Sequence, residues 1–441
     1  MQIDRKIYKN GFRLIHEETK TNSQIASIQL FCDFGSIHEP EDSRGSAHFI
    51  EHMCFKGTKI LKSSAEINNI IVDKTGSVLN AFTDRRYTCY FVKTNKEHVG
   101  LCIDVLADMA LNSVFDKKEY MKEREVVREE CMKDEDDFEL LALTNVDKHI
   151  YAGSPYEHSV DELKYHVGKH ILKYETVLES YNQYYLPSNM ILSICCSNSM
   201  ADICKMVEKS DFMCQRDVVL ARVPPSLFVK PQSDIVFNIE KRRTNPTHVC
   251  ISFRTCSIYS QDKYKMRLLK TILGDGDKMN NRLFTILRED NGLTYSSYAY
   301  TDFFEHIGDI KFYAECDTTK FLKNGPKKPG VFPLMMGMIE DLLKNGVTEE
   351  EVATAKVFLQ STQQMKSEDA EIIAKYNGKN EMFGVSGAPA YKDKFEQLIE
   401  PITKAQLDAC IRNYFRRDGM VVSVVSLHPP TEKELCKYIR M

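Results

Sequence analysis

The sequence lacks several features that would place the protein in a membrane, in the secretory pathway or among disulfide scaffolds. No apolar run reaches the roughly 18 residues of a membrane-spanning helix, and the N terminus lacks the apolar core of a signal peptide. The 14 cysteines include no Cys-x-x-Cys pair and follow no secreted disulfide pattern. We therefore expect reduced thiols, no membrane span and a cytoplasmic location.

The chain also lacks an excess of positive charge. It has 59 lysines and arginines against 63 acidic residues, a formal net charge of −4. A nucleic-acid partner is not expected, because such proteins concentrate basic residues on one face. With 441 residues and 43% hydrophobic composition, the chain has enough apolar material for the cores of two or three domains.

Two halves of the sequence resemble each other at an offset of 230 residues. The segments 184–193 and 414–423 both read as a helix end, a turn and a buried strand. The segment 214–233 between the halves contains three prolines and reads as a linker. We therefore predict two homologous domains, 1–213 and 234–441.

The apolar patterns predict both strands and helices in each half. In the first half, strands are expected near 7–16, 25–34 and 87–93, and helices near 44–56, 64–74, 97–112 and 117–135. In the second half, strands are expected near 248–255 and 309–316, and helices near 262–272, 331–344 and 348–365. The predicted fold class is α+β, with a mainly antiparallel sheet and helices packed on one face in each domain.

The segment His48-Phe49-Ile50-Glu51-His52 is the strongest chemical signal in the sequence. On a helix, residues four apart share a face, so both imidazoles can reach one metal ion, and Glu51 can reach a water bound to it. This HxxEH order is the inverse of the zincin motif, and two histidines with one carboxylate leave zinc an open position for hydrolysis. The plain alternative is a surface helix with two solvated histidines.

The residues around this motif resemble the pitrilysin/insulinase family of zinc peptidases. The likeness is carried by Gly35-Ser36, by Glu39 to Asp42, by Arg44 to Met53 and by Phe55 to Thr58. It is greatest for the short two-domain members, namely bacterial processing proteases and the catalytic beta subunit of the mitochondrial processing peptidase. The resemblance implies a clam-shell of two homologous domains, a metalloendopeptidase with one zinc ion per chain, and pairing as a homodimer or as a heterodimer with a related chain. The expected substrates are extended peptides, unfolded proteins or presequence-like segments.

The resemblance also implies a third metal ligand and an auxiliary acid. The family pattern Glu-Arg-x-x-Val-x-x-Glu fits residues 123–130, so that His48, His52 and Glu130 are the expected zinc ligands. Glu51 is the expected general base, and Glu123 the auxiliary acid of the catalytic set. If the alignment with the family pattern is shifted by one residue, Glu129 becomes the expected ligand instead. A run of charged residues such as this one is also typical of a solvated helix face.

The substrate-binding residues implied by the family lie in both halves. Asn80, Ala81 and Phe82 correspond to the edge strand that pairs with an extended peptide. Arg288 and Tyr295 match a pair that donates hydrogen bonds to substrate carbonyls. Without the resemblance, these residues read as an ordinary strand end, a surface arginine and a half-buried tyrosine.

The main alternative function is a non-catalytic binding or scaffold subunit of a processing-peptidase-like complex, because the family includes partners that have lost the motif. The intact motif in the first half favours the enzyme. The second half has Leu269-Lys270-Thr271-Ile272 where the motif would recur. Lysine and threonine cannot replace the imidazoles, so we expect no metal site there.

Overall fold

The described part of the chain forms two compact units. The computed structural model describes residues 3–19, 23–160, 172–215, 228–323, 328–385 and 387–441. The first unit contains Met1–Lys133, His158–Pro225 and Gln364–Lys392, and the second contains Asp134–Glu157, Ser226–Gln363 and Asp393–Met441. Most of the predicted linker, residues 216–227, lies outside the described residues.

The first unit is built on a six-stranded sheet. Its strands are β1 Ile3–Ile7, β2 Arg13–Glu18, β3 Ile25–Cys32, β4 Val78–Thr83, β5 Thr88–Asn95 and β6 Met190–Cys196. Their spatial order is β1-β2-β6-β3-β5-β4, in which β2 and β6 run parallel and the other neighbours antiparallel. Every residue of β6 is buried, which indicates that both faces of the central strands are covered.

The second unit repeats this plan with five strands. They are β7 Val236–Lys241, β8 Pro246–Thr255, β9 Thr294–Phe303, β10 Gly308–Asp317 and β11 Met420–Ser426. Their spatial order is β7-β11-β8-β10-β9, and again one pair, β7 and β11, is parallel. The predicted α+β class with mainly antiparallel sheets is confirmed.

The described residues form fifteen α-helices. In chain order they are α1 Ser46–Cys54, α2 Ser64–Asn68, α3 Val99–Asn112, α4 Lys117–Glu135, α5 Phe138–Ile150, α6 Tyr174–Tyr184, α7 Met200–Val207, α8 Asp262–Gly274, α9 Arg282–Phe284, α10 Val331–Asn345, α11 Glu349–Lys366, α12 Ala370–Met382, α13 Lys394–Leu398, α14 Lys404–Tyr414 and α15 Glu432–Cys436. Helices α2 and α9 each continue into a wider π-helical turn, at Asn69–Asp73 and Thr285–Glu289. Within the described ranges, no helix is long and apolar enough to cross a membrane.

Each sheet also carries a helix that comes from the other half of the sequence. In the first unit, α12 packs on β3 and β6, where Ser193 Oγ donates to the carbonyl of Ala374 over 2.8 Å. In the second unit, α5 packs on β8 and β11, and Tyr298 donates to Glu139 over 2.5 Å. The compact units are therefore discontinuous in sequence, whereas the predicted domains 1–213 and 234–441 are continuous. The physical reason is that a central strand with no polar face needs a cover on both sides.

Candidate metal centre

Helix α1 presents the His48–His52 motif on its less buried side. Phe49 and Ile50 on its other side are buried in the core of the first unit, which fixes the rotation of the helix. His48, Glu51 and His52 are each half-buried. The i and i+4 spacing therefore brings the two imidazoles together, with the Glu51 carboxylate beside them.

The start of α1 is held by a carboxylate from the preceding loop. Gly45, with a φ of 85°, precedes the first helical residue in the left-handed region that favours glycine. The Glu39 carboxylate accepts hydrogen bonds from the amides of Gly45 and Ala47, over 2.7 and 2.6 Å. Burial raises the pKa of the Glu39 carboxyl to about 7, although these N–H donors favour its ionised form. Glu39 thus satisfies amides at the N terminus of the helix that carries the motif.

Helix α4 brings two further acids to the same place. Asp116, immediately before this helix, accepts hydrogen bonds from two amides of the first turn over 2.8 and 3.1 Å. Val127 is buried in the core and orients the helix. Glu123 is buried, at 5% exposure, and Glu130 lies two turns further along and is exposed. The spacing of seven residues puts both carboxylates on one side of α4.

Three potential ligand atoms converge between α1 and α4. The Nε2 atoms of His48 and His52 are 3.1 Å apart, and His52 Nε2 lies 3.4 Å from an oxygen of Glu130. All three ligand atoms lie within 4.8 Å of one another, and Glu129 is not part of the group. Ligands about 2.0–2.1 Å from a tetrahedral zinc ion are separated by about 3.3 Å. The two separations measured from His52 Nε2, 3.1 and 3.4 Å, are close to this value.

The two histidines differ in how readily they give up the proton that competes with a metal ion. Burial, followed by repulsion from His52, lowers the pKa of His48 to about 4, so its imidazole is neutral at physiological pH. Burial alone would also lower the pKa of His52, but the Glu123 hydrogen bond and the carboxylates of Glu130 and Glu51 outweigh it and raise that pKa. Two ring nitrogens facing each other at 3.1 Å need a proton or a cation between them, and a metal ion satisfies both.

Glu123 lies behind His52. One of its oxygens is 2.8 Å from His52 Nδ1, and the other is 2.5 Å from the ammonium of Lys56. Burial opposes the charge of Glu123, yet the bonds to His52 and Lys56 lower its pKa. An ionised carboxylate can only accept, so Nδ1 carries the proton and the lone pair of His52 is on Nε2, which faces the site.

Glu51 contacts the edge strand of the sheet. Thr83 Oγ1 donates a hydrogen bond to Glu51 Oε2 over 2.5 Å, and Thr83 is the last residue of β4. The carboxylate is therefore tied to the strand that the sequence resemblance assigns to the substrate.

Asn80, Ala81 and Phe82 lie in β4, at the edge of the first sheet. Among the described strands, β4 pairs with β5 alone. Asn80 is exposed, Ala81 packs on the core, and the Phe82 ring lies 4.2 Å below the ammonium of Lys375. The second long side of β4 can accept the backbone of an extended chain.

Arg288 and Tyr295 belong to the second unit. Arg288 lies in the π-helical turn after α9 and donates to the carbonyl of Tyr295 over 2.8 Å. Its guanidinium also lies 5.5 Å from the centre of the Phe284 ring. The Tyr295 side chain is 91% exposed. Arg288 therefore fixes the main chain of Tyr295, a contact that the sequence does not predict.

The second half carries no equivalent metal ligands in the part of the chain that the structure describes. Leu269 and Ile272 on α8 are buried in its core, and Lys270 pairs with Asp275 over 2.9 Å. The one group of potential ligands found among described residues is His48, His52 and Glu130.

Sequence reasoning gave no separate role to Glu39 or Lys56, and it placed Thr83 only at the end of the edge strand. All three stand in or beside segments that carry the family resemblance. Glu39 accepts hydrogen bonds from two main-chain amides. Lys56 contacts the carboxylate of Glu123 on α4, and Thr83 donates to the carboxylate of Glu51 on α1. Contacts between separate elements cannot be read from spacing along one of them.

Curated proteins with similar sequences are named zinc proteases. The chain is 29% identical to an uncharacterized zinc protease of Bacillus subtilis, over 94% of this chain and 96% of that one. It is 26% identical to an uncharacterized zinc protease of Streptomyces coelicolor, over 86% of this chain and 80% of the other. The likeness therefore extends over both halves.

Solved structures share the fold over nearly the whole chain. A protease from Helicobacter pylori superposes with a TM-score of 0.86 at 18% identity, over 96% of this chain and 99% of that chain. A Pseudomonas fluorescens protein described as a peptidase M16 inactive domain gives a TM-score of 0.83 at 16% identity, over 97% of this chain and 98% of that chain.

Two family descriptions match successive parts of the sequence. Residues 14–162, which contain the three potential metal ligands, match Insulinase (Peptidase family M16). Residues 172–358 match Peptidase M16 inactive domain, in agreement with a second half that lacks the motif. The chain therefore belongs to the insulinase, or M16, family of peptidases.

Proposed function

We propose that the protein is a zinc-dependent endopeptidase that cleaves extended peptides or presequence-like segments of unfolded proteins. One observation carries the proposal: His52 Nε2 lies 3.1 Å from His48 Nε2 and 3.4 Å from an oxygen of Glu130, two separations typical of ligands on a tetrahedral zinc ion, and all three ligand atoms lie within 4.8 Å of one another. Glu51 lies on the same helix, next to His52. The names of the similar curated proteins support the choice of zinc.

Each residue has a distinct part in the proposed hydrolysis. Bound zinc supplies a Lewis acid for the scissile carbonyl and lowers the pKa of a water molecule. Glu51 accepts a proton from the attacking water as its oxygen bonds to the carbonyl carbon, and returns that proton to the amine when the C–N bond breaks. Glu123 holds His52 in the tautomer that binds metal.

The proposed substrate is bound as an extended strand. The backbone of the peptide pairs with β4 at Asn80 to Phe82, which makes main-chain hydrogen bonds independent of sequence. We retain Arg288 and Tyr295 as proposed substrate-binding residues of the second unit. The exposed Tyr295 side chain can donate a hydrogen bond to a carbonyl oxygen.

The organisation of the molecule is part of the same proposal. Residues 1–213 carry the metal chemistry, residues 234–441 carry the domain without metal, and residues 214–233 join them. We propose that each chain binds one zinc ion. We also propose that the chain pairs with a second copy or with a related chain, and light scattering of the purified protein measures the molar mass of the assembly. The cytoplasmic location stays a prediction.

Two variants test the chemistry directly. Glu51→Gln should retain zinc, because Glu51 is not a ligand, but lower kcat at least about 100-fold because the proton acceptor is lost. His52→Ala should lose both zinc and cleavage. Zinc is measured by mass spectrometry of the purified protein, and cleavage with a peptide library before and after chelation.

The outcomes separate the enzyme from the alternative. Cleavage by Glu51→Gln at the wild-type rate shows that the assigned base is wrong. A wild-type protein that holds zinc and binds peptides without cleaving them is the non-catalytic binding subunit instead.

A further inference from the structure

The Glu51 carboxylate has a partner whose role the proposed function does not assign. Thr83 Oγ1 lies 2.5 Å from Glu51 Oε2. Both residues are half-buried, so the hydrogen bond is partly shielded from water. A hydroxyl that donates to an ionised carboxylate forms one of the stronger hydrogen bonds found in proteins.

The neighbouring threonine fixes the direction of this hydrogen bond. Thr88 is fully buried and donates its proton to the carbonyl of Phe34 over 2.9 Å. Thr83 and Thr88 are paired residues of β4 and β5, with their hydroxyl oxygens 3.4 Å apart. Because a hydroxyl has one proton, Thr88 can only accept on its other side. Thr83 therefore keeps its own proton for the nearer and charged Glu51.

The position of Thr83 in the fold connects two parts of the site. It ends the strand that contains Asn80, Ala81 and Phe82. The next residue, Asp84, closes the hairpin through an amide that donates to the carbonyl of Tyr87 over 2.8 Å. The main chain of Thr83 is thus held by both a strand pair and a tight turn, which fixes the place from which its hydroxyl reaches Glu51.

We propose that Thr83 is a positioning residue for the general base. Its hydroxyl holds one oxygen of the Glu51 carboxylate, which restricts rotation of that side chain and links the peptide-binding strand to the base. The inference rests on the proposed peptidase function. It predicts that loss of the hydroxyl affects the chemical step more than substrate binding or metal content.

The test compares Thr83→Val, which removes the hydroxyl and keeps the shape, with Thr83→Ser, which retains it. Thr83→Val should hold zinc at the wild-type level and keep KM within about twofold, while kcat falls about tenfold to 100-fold. Thr83→Ser should recover most of kcat. Thr75→Val is the matched control, because Thr75 lies before the other end of β4 and donates to the carbonyl of Ile71.

A second measurement does not depend on catalysis. Crystal structures of metal-free wild type and Thr83→Val should show the Glu51 carboxylate displaced or spread over several rotamers only in the variant. Unchanged kcat in Thr83→Val, or a loss of zinc equal to the loss of activity, overturns the proposal. If the wild type does not cleave peptides, the proposed function fails, and the Glu51 positions in the two structures still decide the role of Thr83.

Discussion

Glu123 accepts a hydrogen bond from His52 Nδ1 over 2.8 Å, so a carboxylate on one helix sets the tautomer of a proposed metal ligand on another. Lys56, one helical turn after His52, holds the second oxygen of that carboxylate. The side chains of Lys56, Glu123 and His52 are thus linked in a row, and the last atom of the row is Nε2 of His52, the proposed ligand atom. The affinity of the protein for zinc tests how much these contacts support metal binding.

Removal of the charge at Glu123 should weaken zinc binding. In Glu123→Gln the neutral amide is a poorer acceptor for His52 and places N–H groups near Lys56, so we expect zinc affinity to fall about 10- to 100-fold. Competition with a chromophoric chelator measures it. Glu125→Gln, on the exposed side of the same helix, should bind zinc as the wild type does. Equal affinities in all three proteins contradict the role of Glu123.

Variants of two adjacent glutamates test which residue is the third zinc ligand. Glu130→Gln should lose most of its zinc, because an amide is a much weaker zinc ligand than a carboxylate. Glu129→Gln should keep the wild-type content, since a neighbouring residue on a helix points about 100° away. Metal analysis after dialysis gives the result. The same zinc content in both variants leaves Glu130 without its proposed role.

The buried Asp309 carboxyl of the second unit should make a contribution to stability that is lost as pH rises toward neutrality. Burial raises the pKa of the Asp309 carboxyl to about 7, against the attraction of Lys311 and with added repulsion from Asp302 and Asp147. The folded state then holds a proton that the unfolded chain releases near pH 4, so the contribution of Asp309 to the free energy of unfolding falls between about pH 4 and 7. The lowered pKa of His48 contributes in the opposite direction in the metal-free protein. Urea unfolding of the metal-free protein at several pH values measures the slope.

Asp309→Asn should remove this contribution, because the amide does not titrate, so the free energy of unfolding should change with pH along a more positive slope than in the wild type. The exposed Asp290→Asn is the control and should leave it unchanged. A wild-type slope in Asp309→Asn would show that another group binds the proton.

Two helical glycines should respond oppositely to alanine. A Cβ added to Gly378 on α12 lies 2.1 Å from the ring of Phe31, which is fully buried, so Gly378→Ala should cost about 1–3 kcal/mol of stability. A Cβ added to Gly337 on α10 meets nothing within 4 Å, so Gly337→Ala should stabilise by about 0.5–1 kcal/mol. Thermal unfolding compares them. A stabilised Gly378→Ala would contradict the close packing of α12 on β3.

The sequence predicts the parts of the molecule that depend on local pattern. The spacing of His48 and His52 on one helix face and the presence of both strands and helices in each half follow from short-range rules of helix and strand geometry. The choice between Glu129 and Glu130 is harder, because a shift of one residue turns the helix by about 100°. In the structure the register of α4 is set by buried residues such as Val127.

The features that sequence reasoning misses are contacts between distant segments. Lys56 and Thr83 gain their roles only through Glu123 and Glu51, which lie on other elements. Helix α12 has a mixed polar and apolar sequence, and its place on the first sheet depends on close approach at Gly378. Short-range periodicity carries no information about which sheet a helix will cover.

Helix α12 packs on the first sheet and helix α5 on the second, although each comes from the other half of the sequence. This arrangement limits how the protein can be divided into fragments. A fragment that ends near residue 213 lacks α12, so one side of β3 and β6 is left bare, and Gln29 and Ser193 lose the main-chain acceptors that α12 provides. A fragment that begins near residue 234 lacks α5 in the same way. We therefore expect that neither fragment folds alone. Soluble protein is expected only when both fragments are produced together, because each one supplies the helix that covers the sheet of the other.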